Sequence, residues 1–142
     1  MIYNILSRNI KFCATSSNPH VTIFGNDYMT PDGTGIRDYI HVEDLAYGHI
    51  CALNYINRGL SNIFNLGTGK GTSVLELIKI LEKVSGNKIN YIYGPRRSGD
   101  IAIVYADPTN ANVLLGWNSV KTIEDMCIDA WRWQSMNING YQ

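Results

Sequence analysis

The sequence predicts a small α/β domain, because short apolar segments of strand character alternate with longer segments of helical periodicity. At 142 residues, the chain has the length of one ordinary domain. Its composition, 45% hydrophobic and 17% charged, is sufficient to bury a core and is not that of a disordered chain. No internal repeat or low-complexity segment indicates another architecture.

Strands or extended segments are predicted where short apolar runs end at turn residues such as glycine, proline and asparagine. They alternate with helical segments, which is the pattern that defines the fold class. In chain order, the predicted segments are residues 21–24, 37–41, 62–66, 89–93 and 101–105.

Helices are predicted where apolar residues at helical spacing lie between start and stop signals. Ser73 and Glu76 form a capping box, and Gly59 and Gly86 are expected to end helices. The four predicted helices begin near Asp44, Ser73, Pro108 and Thr122. Their expected buried residues are Leu45, Ala52, Tyr55 and Ile56 in the first, Val74, Leu77, Ile78 and Leu81 in the second, and Ile123, Met126, Cys127, Ala130 and Trp131 in the last.

Twelve Lys and Arg residues balance twelve Asp and Glu residues, and the pI is near 6.8. This balance argues against nucleic acid or a membrane surface as a partner bound by overall charge. No apolar run reaches the roughly 18 residues that span a bilayer. Cys13, Cys51 and Cys127 have no metal-binding spacing, and no two histidines are four residues apart. We therefore expect reduced thiols, a cytoplasmic location and no metal site.

A glycine-rich turn at residues 67–71 lies between a predicted strand and a capped helix, where dinucleotide folds bind phosphate. Its spacing is G-x-G-x-G instead of G-x-G-x-x-G, and no acidic residue follows at the distance expected for a ribose ligand. Two interpretations remain, a phosphate-binding loop or a tight structural turn, and the spacing favours the turn.

Two arginine-containing segments are candidates for anion binding. Arg37 precedes Asp38 and Tyr39, and residues 96–100 combine two arginines with Asp100. A guanidinium matches phosphate oxygens, and a carboxylate can accept hydrogen bonds from two sugar hydroxyls. The alternatives are a surface pair of Arg37 with Asp38 and a solvated charge cluster, and the residues alone leave them open.

Taken together, several segments resemble the C-terminal, substrate-binding part of the UDP-glucose 4-epimerase family of extended short-chain dehydrogenases/reductases. The matching segments are TIFGNDY (22–28), TPDGT (30–34), GIRDYIHVEDL (35–45), FNLGTG (64–69), PRRSGD (95–100), AD (106–107), LGW (115–117) and WRWQS (131–135). The resemblance implies a small α/β substrate-binding domain without the Rossmann half of the fold. It divides the chain into a poorly matching segment, residues 1–20, and a UDP-sugar-binding domain, residues 21–142.

The resemblance also implies a role for individual residues of a UDP-sugar site. By position, they are Thr22, Ile23 and Phe24 along the uridine ring, Arg37 and Arg97 on the pyrophosphate, Asp100 on the ribose, Tyr39 and Val74 lining the nucleotide, and Val104 beside the sugar. Some bacterial relatives have a tyrosine where this chain has Val104. The smaller side chain leads to the hypothesis that N-acetylated UDP-sugars fit the site.

The family's activity requires NAD, which accepts a hydride from C4 of the sugar and returns it to the other face, while a Tyr-x-x-x-Lys pair moves the proton. In this sequence, no tyrosine has a lysine four residues later, and no glycine fingerprint for NAD is present. We therefore assign no catalytic and no cofactor-binding residue to this chain. The resemblance implies that NAD is bound by the missing half, which also forms the homodimer of the full enzyme.

The predicted function is thus the UDP-binding part of an epimerase that interconverts UDP-glucose and UDP-galactose in galactose metabolism. We expect that the chain by itself does not epimerise. One alternative is a related nucleotide-sugar epimerase or dehydratase. The other is a non-catalytic remnant that binds UDP-sugars.

Overall fold

Four helices and two small sheets make up residues 20–137, the part of the chain that the computed structural model describes. The strands are β1 (Val21–Phe24), β2 (Ile36–Arg37), β3 (Thr72–Ser73), β4 (Tyr91–Gly94) and β5 (Ile103–Val104). The helices are α1 (Val42–Ile56), α2 (Val74–Ser85), α3 (Thr109–Leu115) and α4 (Ile123–Met136). The prediction of a small α/β fold is confirmed.

The two sheets join segments that are far apart in the sequence. β1 and β4 pair in parallel, with Phe24 opposite Gly94. β2 lies between β3, which runs antiparallel to it, and β5, which runs parallel. The register of the second sheet places Val104 opposite Arg37. Five of the nine site residues predicted from the sequence lie in β1, β2 and β5, and Phe24, Arg37 and Val104 are the last residues of these strands.

The main core lies between β1 and the helices α2 and α4. Val21 and Ile23 of β1 are buried, because alternate side chains of a strand point to the same face. The apolar stripes predicted for the second and last helices are confirmed. The buried members are Leu77, Ile78, Leu81, Met126 and Cys127, with Val74, Ile123, Ala130 and Trp131 half-buried against them.

The starts of the helices follow local sequence signals. Ser73 and Glu76 form the predicted capping box of α2, and Thr122 and Asp125 form a second one at α4. At α1, the buried His41 is the cap, and its Nδ1 accepts a hydrogen bond of 3.1 Å from the backbone N–H of Glu43. None of the helices in residues 20–137 has both the length and the apolar character needed to cross a bilayer.

A second contact region joins α1 to the segment after α3. The indole of Trp117 is fully buried, with 0% exposure, and its Nε1 donates to the backbone oxygen of Asp44 at 3.0 Å. Gly48 allows this approach, since a Cβ at that position would lie 2.8 Å from Leu66 Cδ1 and 3.2 Å from the Trp117 ring. This region fixes α1 against α3 and the segment that follows it.

Some predicted elements were wrong or misplaced. Residues 62–66 do not form a buried strand: they pair with no strand among the described residues, and Ile63 is 83% exposed. Ile56 of α1 is exposed, because α1 turns Asp44 and Gly48 inward instead. The strands predicted at 89–93 and 101–105 are shorter or shifted, at Tyr91–Gly94 and Ile103–Val104. Apart from His20, the predicted segment 1–20 lies outside the described residues.

Candidate functional site

Arg37, Arg97 and Asp100 form a charged group that we call the arginine cluster. Arg97 Nε donates to Asp100 Oδ2 at 2.9 Å, and Arg37 Nη2 lies 3.6 Å from Asp100 Oδ1. Two positive charges face one negative charge, so the cluster carries a net positive charge. The Arg97 side chain is 55% exposed and that of Arg37 is 27% exposed, so both guanidinium groups are accessible to a ligand. The cluster is therefore suited to an anion.

Strand β1 supplies an aromatic ring next to the arginine cluster. The guanidinium carbon of Arg97 lies 4.9 Å from the centre of the Phe24 ring, within the range of a cation–π contact. On the same face, a Cβ at Gly94 would lie 2.9 Å from Thr22 Cγ2. The side chain of Ile23 points into the core, so this residue can meet a ligand only through its backbone. The outer face of β1 and β4 thus offers a shallow surface on which a planar group can lie.

Arg96 and Arg97 are neighbours in sequence but have different contacts. Arg96 Nε donates to Asp27 Oδ1 at 2.7 Å, and its guanidinium carbon lies 4.2 Å from the centre of the Tyr28 ring. The hydrogen bond from Arg96 lowers the pKa of Asp27. Arg96 therefore ties the loop after β1 to the loop after β4, whereas Arg97 belongs to the arginine cluster.

Tyr39 and Val74 lie at the edge of the main core, partly buried against it. Burial raises the pKa of Tyr39 to about 12, although the positive charge of Arg37 acts in the opposite direction. The phenol consequently stays protonated near neutral pH and can donate a hydrogen bond. The backbone N–H of Val74 donates to Gly35 at 3.1 Å, which holds the start of α2 against β2.

Val104 is exposed on β5, next to Arg37 in the sheet. Arg37 also donates from Nη1 to the backbone oxygen of Ala102 at 3.4 Å, across the same pair of strands. Of the nine site residues predicted from the sequence, the structure thus joins Phe24, Arg37, Arg97 and Asp100 through contacts and places Val104 beside Arg37. Their assignment to a nucleotide sugar stays a prediction.

The carboxylate of Asp38 holds the glycine-rich turn, a role that the sequence did not indicate. It accepts hydrogen bonds from the backbone N–H groups of Thr68, Gly69 and Ala106 and from the Thr68 hydroxyl. The Thr68 and Gly69 N–H groups are therefore occupied, which favours the structural turn over a phosphate-binding loop. Asp38 does not pair with Arg37 as the surface-pair alternative required. Its partners lie 30 to 68 residues away, where no local pattern points to them.

One group of potential metal ligands lies elsewhere, at the start of α1, and consists of His41, Glu43 and Asp129. Both ring nitrogens of His41 already have partners: Nδ1 accepts from Glu43 N, and Nε2 lies 3.2 Å from Asp129 Oδ2. The histidine thus caps α1 and links it to α4. This arrangement explains its burial without an ion.

The small α/β fold and its arginine cluster indicate a domain that binds an anionic ligand. Comparisons with known proteins specify which proteins it resembles. Residues 2–67 match the family model described as the NAD dependent epimerase/dehydratase family. The chain is 50% identical over 142 aligned residues to UDP-glucose 4-epimerase of Bacillus subtilis, an alignment that covers 99% of this chain and 42% of that protein. The resemblance to UDP-glucose 4-epimerases is thereby confirmed.

Solved structures agree with this result. UDP-glucose 4-epimerase from Bifidobacterium longum, in complex with NAD+ and UDP, matches 97% of this chain with a TM-score of 0.87 and 44% identity. The UDP-Glc/GlcNAc 4-epimerase from Campylobacter jejuni matches 96% with a TM-score of 0.79 and 36% identity. The chain spans 41% and 44% of these two proteins, so it corresponds to one part of an epimerase, the C-terminal part.

Proposed function

We propose that this chain is the UDP-sugar-binding part of a UDP-glucose 4-epimerase, an isomerase that interconverts UDP-glucose and UDP-galactose. The arginine cluster beside the Phe24 ring is the observation that carries the proposal. A UDP group has a planar base, a diol and two phosphates. The site offers a matching group for each: a flat face for the base, a carboxylate for the diol and two guanidinium groups for the phosphates.

In the proposed complex, each residue has a specific task. The base lies along the backbone of Thr22 and Ile23 beside Phe24. Arg37 and Arg97 bind the diphosphate, which takes the place of Asp100 in part of their ion-pair contacts. The freed carboxylate oxygen of Asp100 then accepts hydrogen bonds from the ribose hydroxyls. Tyr39 and Val74 line the nucleotide, and Val104 faces the sugar.

NAD belongs to the proposed activity, but the residues described here do not fit it. The glycine-rich turn is the one segment with a suggestive composition, and Asp38 already occupies the N–H groups of Thr68 and Gly69. When bound by the rest of the enzyme, NAD supplies the exchange of hydride at C4 of the sugar. We propose that this chain binds and orients UDP-sugar, and that the full enzyme is a cytoplasmic homodimer of galactose metabolism.

The central test is a titration of the 142-residue chain with UDP by isothermal calorimetry, using two neighbouring arginines as a matched pair. We expect Arg97→Ala to weaken UDP binding by about tenfold to hundredfold, since a hydrogen bond between charged groups contributes about 1.5–3 kcal/mol. Arg96→Ala removes the same charge one residue away and should leave UDP affinity nearly unchanged, because Arg96 contacts Asp27 and Tyr28. The proposal is contradicted if the two variants lose UDP affinity equally. It is also contradicted if the parent chain and both variants fail to bind UDP.

The absence of a Tyr-x-x-x-Lys pair from the sequence gives a second test. We expect no turnover when the purified 142-residue chain is mixed with UDP-galactose and NAD in an assay coupled to UDP-glucose oxidation. Measurable epimerase activity would disprove that part of the proposal. A non-catalytic remnant would also bind UDP without turnover. Epimerase activity distinguishes the two alternatives when it is assayed in a longer protein of the source organism that contains this sequence.

A related epimerase that accepts N-acetylated sugars is the second candidate, and Val104 is the observation that favours it. Its exposed side chain lies next to Arg37 and is smaller than tyrosine. We expect Val104→Tyr to weaken the binding of UDP-N-acetylgalactosamine relative to UDP-galactose, with UDP itself as the control ligand. An unchanged ratio of the two affinities excludes Val104 as the determinant.

A further inference from the structure

The carboxylate of Asp38 connects three segments of the chain. Oδ1 accepts a hydrogen bond from the Thr68 hydroxyl at 2.6 Å. The backbone N–H of Thr68 is shared between Oδ1 and Oδ2, at 3.0 Å from each. Oδ2 also accepts from Gly69 N at 3.0 Å and from Ala106 N at 3.2 Å. The segment after β2, the glycine-rich turn and the segment after β5 therefore meet at one side chain.

The local structure makes room for this carboxylate. A Cβ at Gly67 would lie 2.6 Å from Asp38 Oδ2 and 2.5 Å from the Cβ of Ala106. Any larger residue at position 67 would push Asp38 and Ala106 apart. The glycine at this position is thus explained by the close approach of the carboxylate.

The contacts of Asp38 bear directly on the arginine cluster. Arg37 precedes Asp38, and its strand β2 pairs with β5 over two residue pairs alone, Ile36 with Ile103 and Arg37 with Val104. So short a pair of strands has little stability of its own. The hydrogen bond from Ala106 to Asp38 extends the connection beyond the strands and keeps β5 alongside Arg37.

We propose that Asp38 is a positioning residue: it holds β2 and β5 together so that Arg37 faces Asp100 and the diphosphate. This inference rests on the proposed function, because it assigns the effect of Asp38 to the binding of UDP. Asp38 itself touches neither Arg97 nor Asp100 through any hydrogen bond or ion pair found in residues 20–137. Its influence on the ligand passes through Arg37.

The test compares two substitutions that make the same chemical change. Asp44 also accepts backbone hydrogen bonds, from Val120 N at 3.0 Å and Lys121 N at 2.9 Å, but serves α1 instead of the arginine cluster. In Asp38→Asn and Asp44→Asn, one carboxylate oxygen becomes an amide NH2, which cannot accept a hydrogen bond, and the negative charge is lost. Asp38 uses both oxygens as acceptors and so loses bonds in either orientation of the amide, whereas at Asp44 both bonds go to Oδ2 and are weakened by the loss of charge. Calorimetric titration with UDP is carried out on both variants well below their unfolding temperatures.

We expect Asp38→Asn to weaken UDP binding by about tenfold, while Asp44→Asn lowers the unfolding temperature with UDP affinity within about twofold of the parent. In the Arg37→Ala background, Asp38→Asn should cause no further loss, because its effect acts through Arg37. Additive losses, or equal losses in the Asp38 and Asp44 variants, overturn the inference.

Two further outcomes are separated by the same titrations. If the parent chain binds UDP and Asp38→Asn binds it equally well, only the role of Asp38 is disproved. If the parent chain does not bind UDP, the proposed function fails and the inference fails with it. Should Asp38→Asn not fold, Thr68→Val removes one donor to the carboxylate and should weaken UDP binding by about threefold; unchanged affinity then counts against the role.

Discussion

At the scale of single residues, Asp32 links the loop after β1 to the start of α2. It accepts hydrogen bonds from the backbone N–H and the hydroxyl of Thr34, at 2.9 and 2.7 Å, and from the hydroxyl of Ser73. Burial acts to raise the pKa of Asp32, but the hydrogen bonds from Ser73 and Thr34 outweigh it, so the pKa is lowered from 3.8.

This lowered pKa predicts an acid-dependent loss of stability. A carboxyl with a lower pKa in the folded state stabilises the protein at pH values above its unfolded pKa, and the contribution is lost as the pH falls through the folded pKa. We expect the difference in unfolding free energy between the parent chain and Asp32→Asn to shrink between pH 6 and pH 3. Urea unfolding at several pH values measures this difference, and a constant difference contradicts the assignment.

The two described cysteines should differ in reactivity. Burial, with a smaller contribution from the negative charge of Glu124, raises the pKa of Cys127 to about 11, whereas Cys51 is only half-buried on α1. Because the thiolate is the reactive form, we expect iodoacetamide to modify Cys51 well before Cys127 in the native protein. Peptide mass spectrometry follows each site, and guanidinium-unfolded protein is the control in which the difference should disappear. Faster native labelling of Cys127 contradicts its burial.

Residue chemistry also determined which parts of the site could be predicted. Arg97 and Asp100 share a segment with Gly99, so a charged anion-binding loop was visible in the sequence. The different contacts of Arg96 and Arg97 could not be predicted from the sequence. They depend on Phe24, at the end of β1, and on Asp27, in the loop after β1. The role of Asp38 could not be predicted for the same reason, because its hydrogen-bond partners are distant in the sequence and only the fold brings them close.

At the scale of secondary structure, the capping boxes of α2 and α4 differ in one contact. Ser73 and Thr122 each accept a hydrogen bond from the backbone N–H three residues later. The Thr122 hydroxyl donates to Asp125 of its own capping box, whereas the Ser73 hydroxyl donates to Asp32, which belongs to a different segment of the chain. We expect Thr122→Ala to lower the unfolding free energy by about 1 kcal/mol and Ser73→Ala by about 2 kcal/mol. Urea unfolding at pH 7 tests the order, and a larger loss in Thr122→Ala contradicts the additional role of Ser73.

Elements defined by local signals were predicted well, and those defined by distant partners were not. α2 and α4 have caps and apolar stripes within their own sequences, so their positions and buried faces followed from local rules. Residues 62–66 have the apolar character of a strand, but a strand requires a neighbour, and none of the described strands pairs with them. For the same reason β5 keeps only two paired residues, although the apolar run around it is longer.

At the scale of the whole molecule, one side of α1 and the segment after it expose large apolar side chains. Tyr47, Ile50, Leu53 and Ile63 are each more than half exposed. Large apolar side chains exposed on one helix promote association when they meet such side chains on another molecule. We expect the isolated chain to self-associate with rising concentration in sedimentation velocity experiments.

A pair of variants tests the source of that association. Leu53→Lys places a charge on the exposed side of α1 and should lower the association, with an unchanged circular dichroism spectrum. Lys88→Ala, a change at an exposed position outside that helix, serves as the control. A parent chain that stays monomeric at all concentrations contradicts the expectation.

The long separations between paired segments have a consequence for how the molecule acquires its binding site. Arg37 and Ala102 are 65 residues apart, Asp38 and Ala106 are 68 apart, and Asp27 and Arg96 are 69 apart. Contacts between such distant residues require the closure of long loops and form slowly, whereas helices form from neighbouring residues in microseconds or less. During refolding, helical signal should therefore return before affinity for UDP. During synthesis on the ribosome, no nucleotide site can exist until Asp100 has emerged, however completely α1 and α2 have already formed.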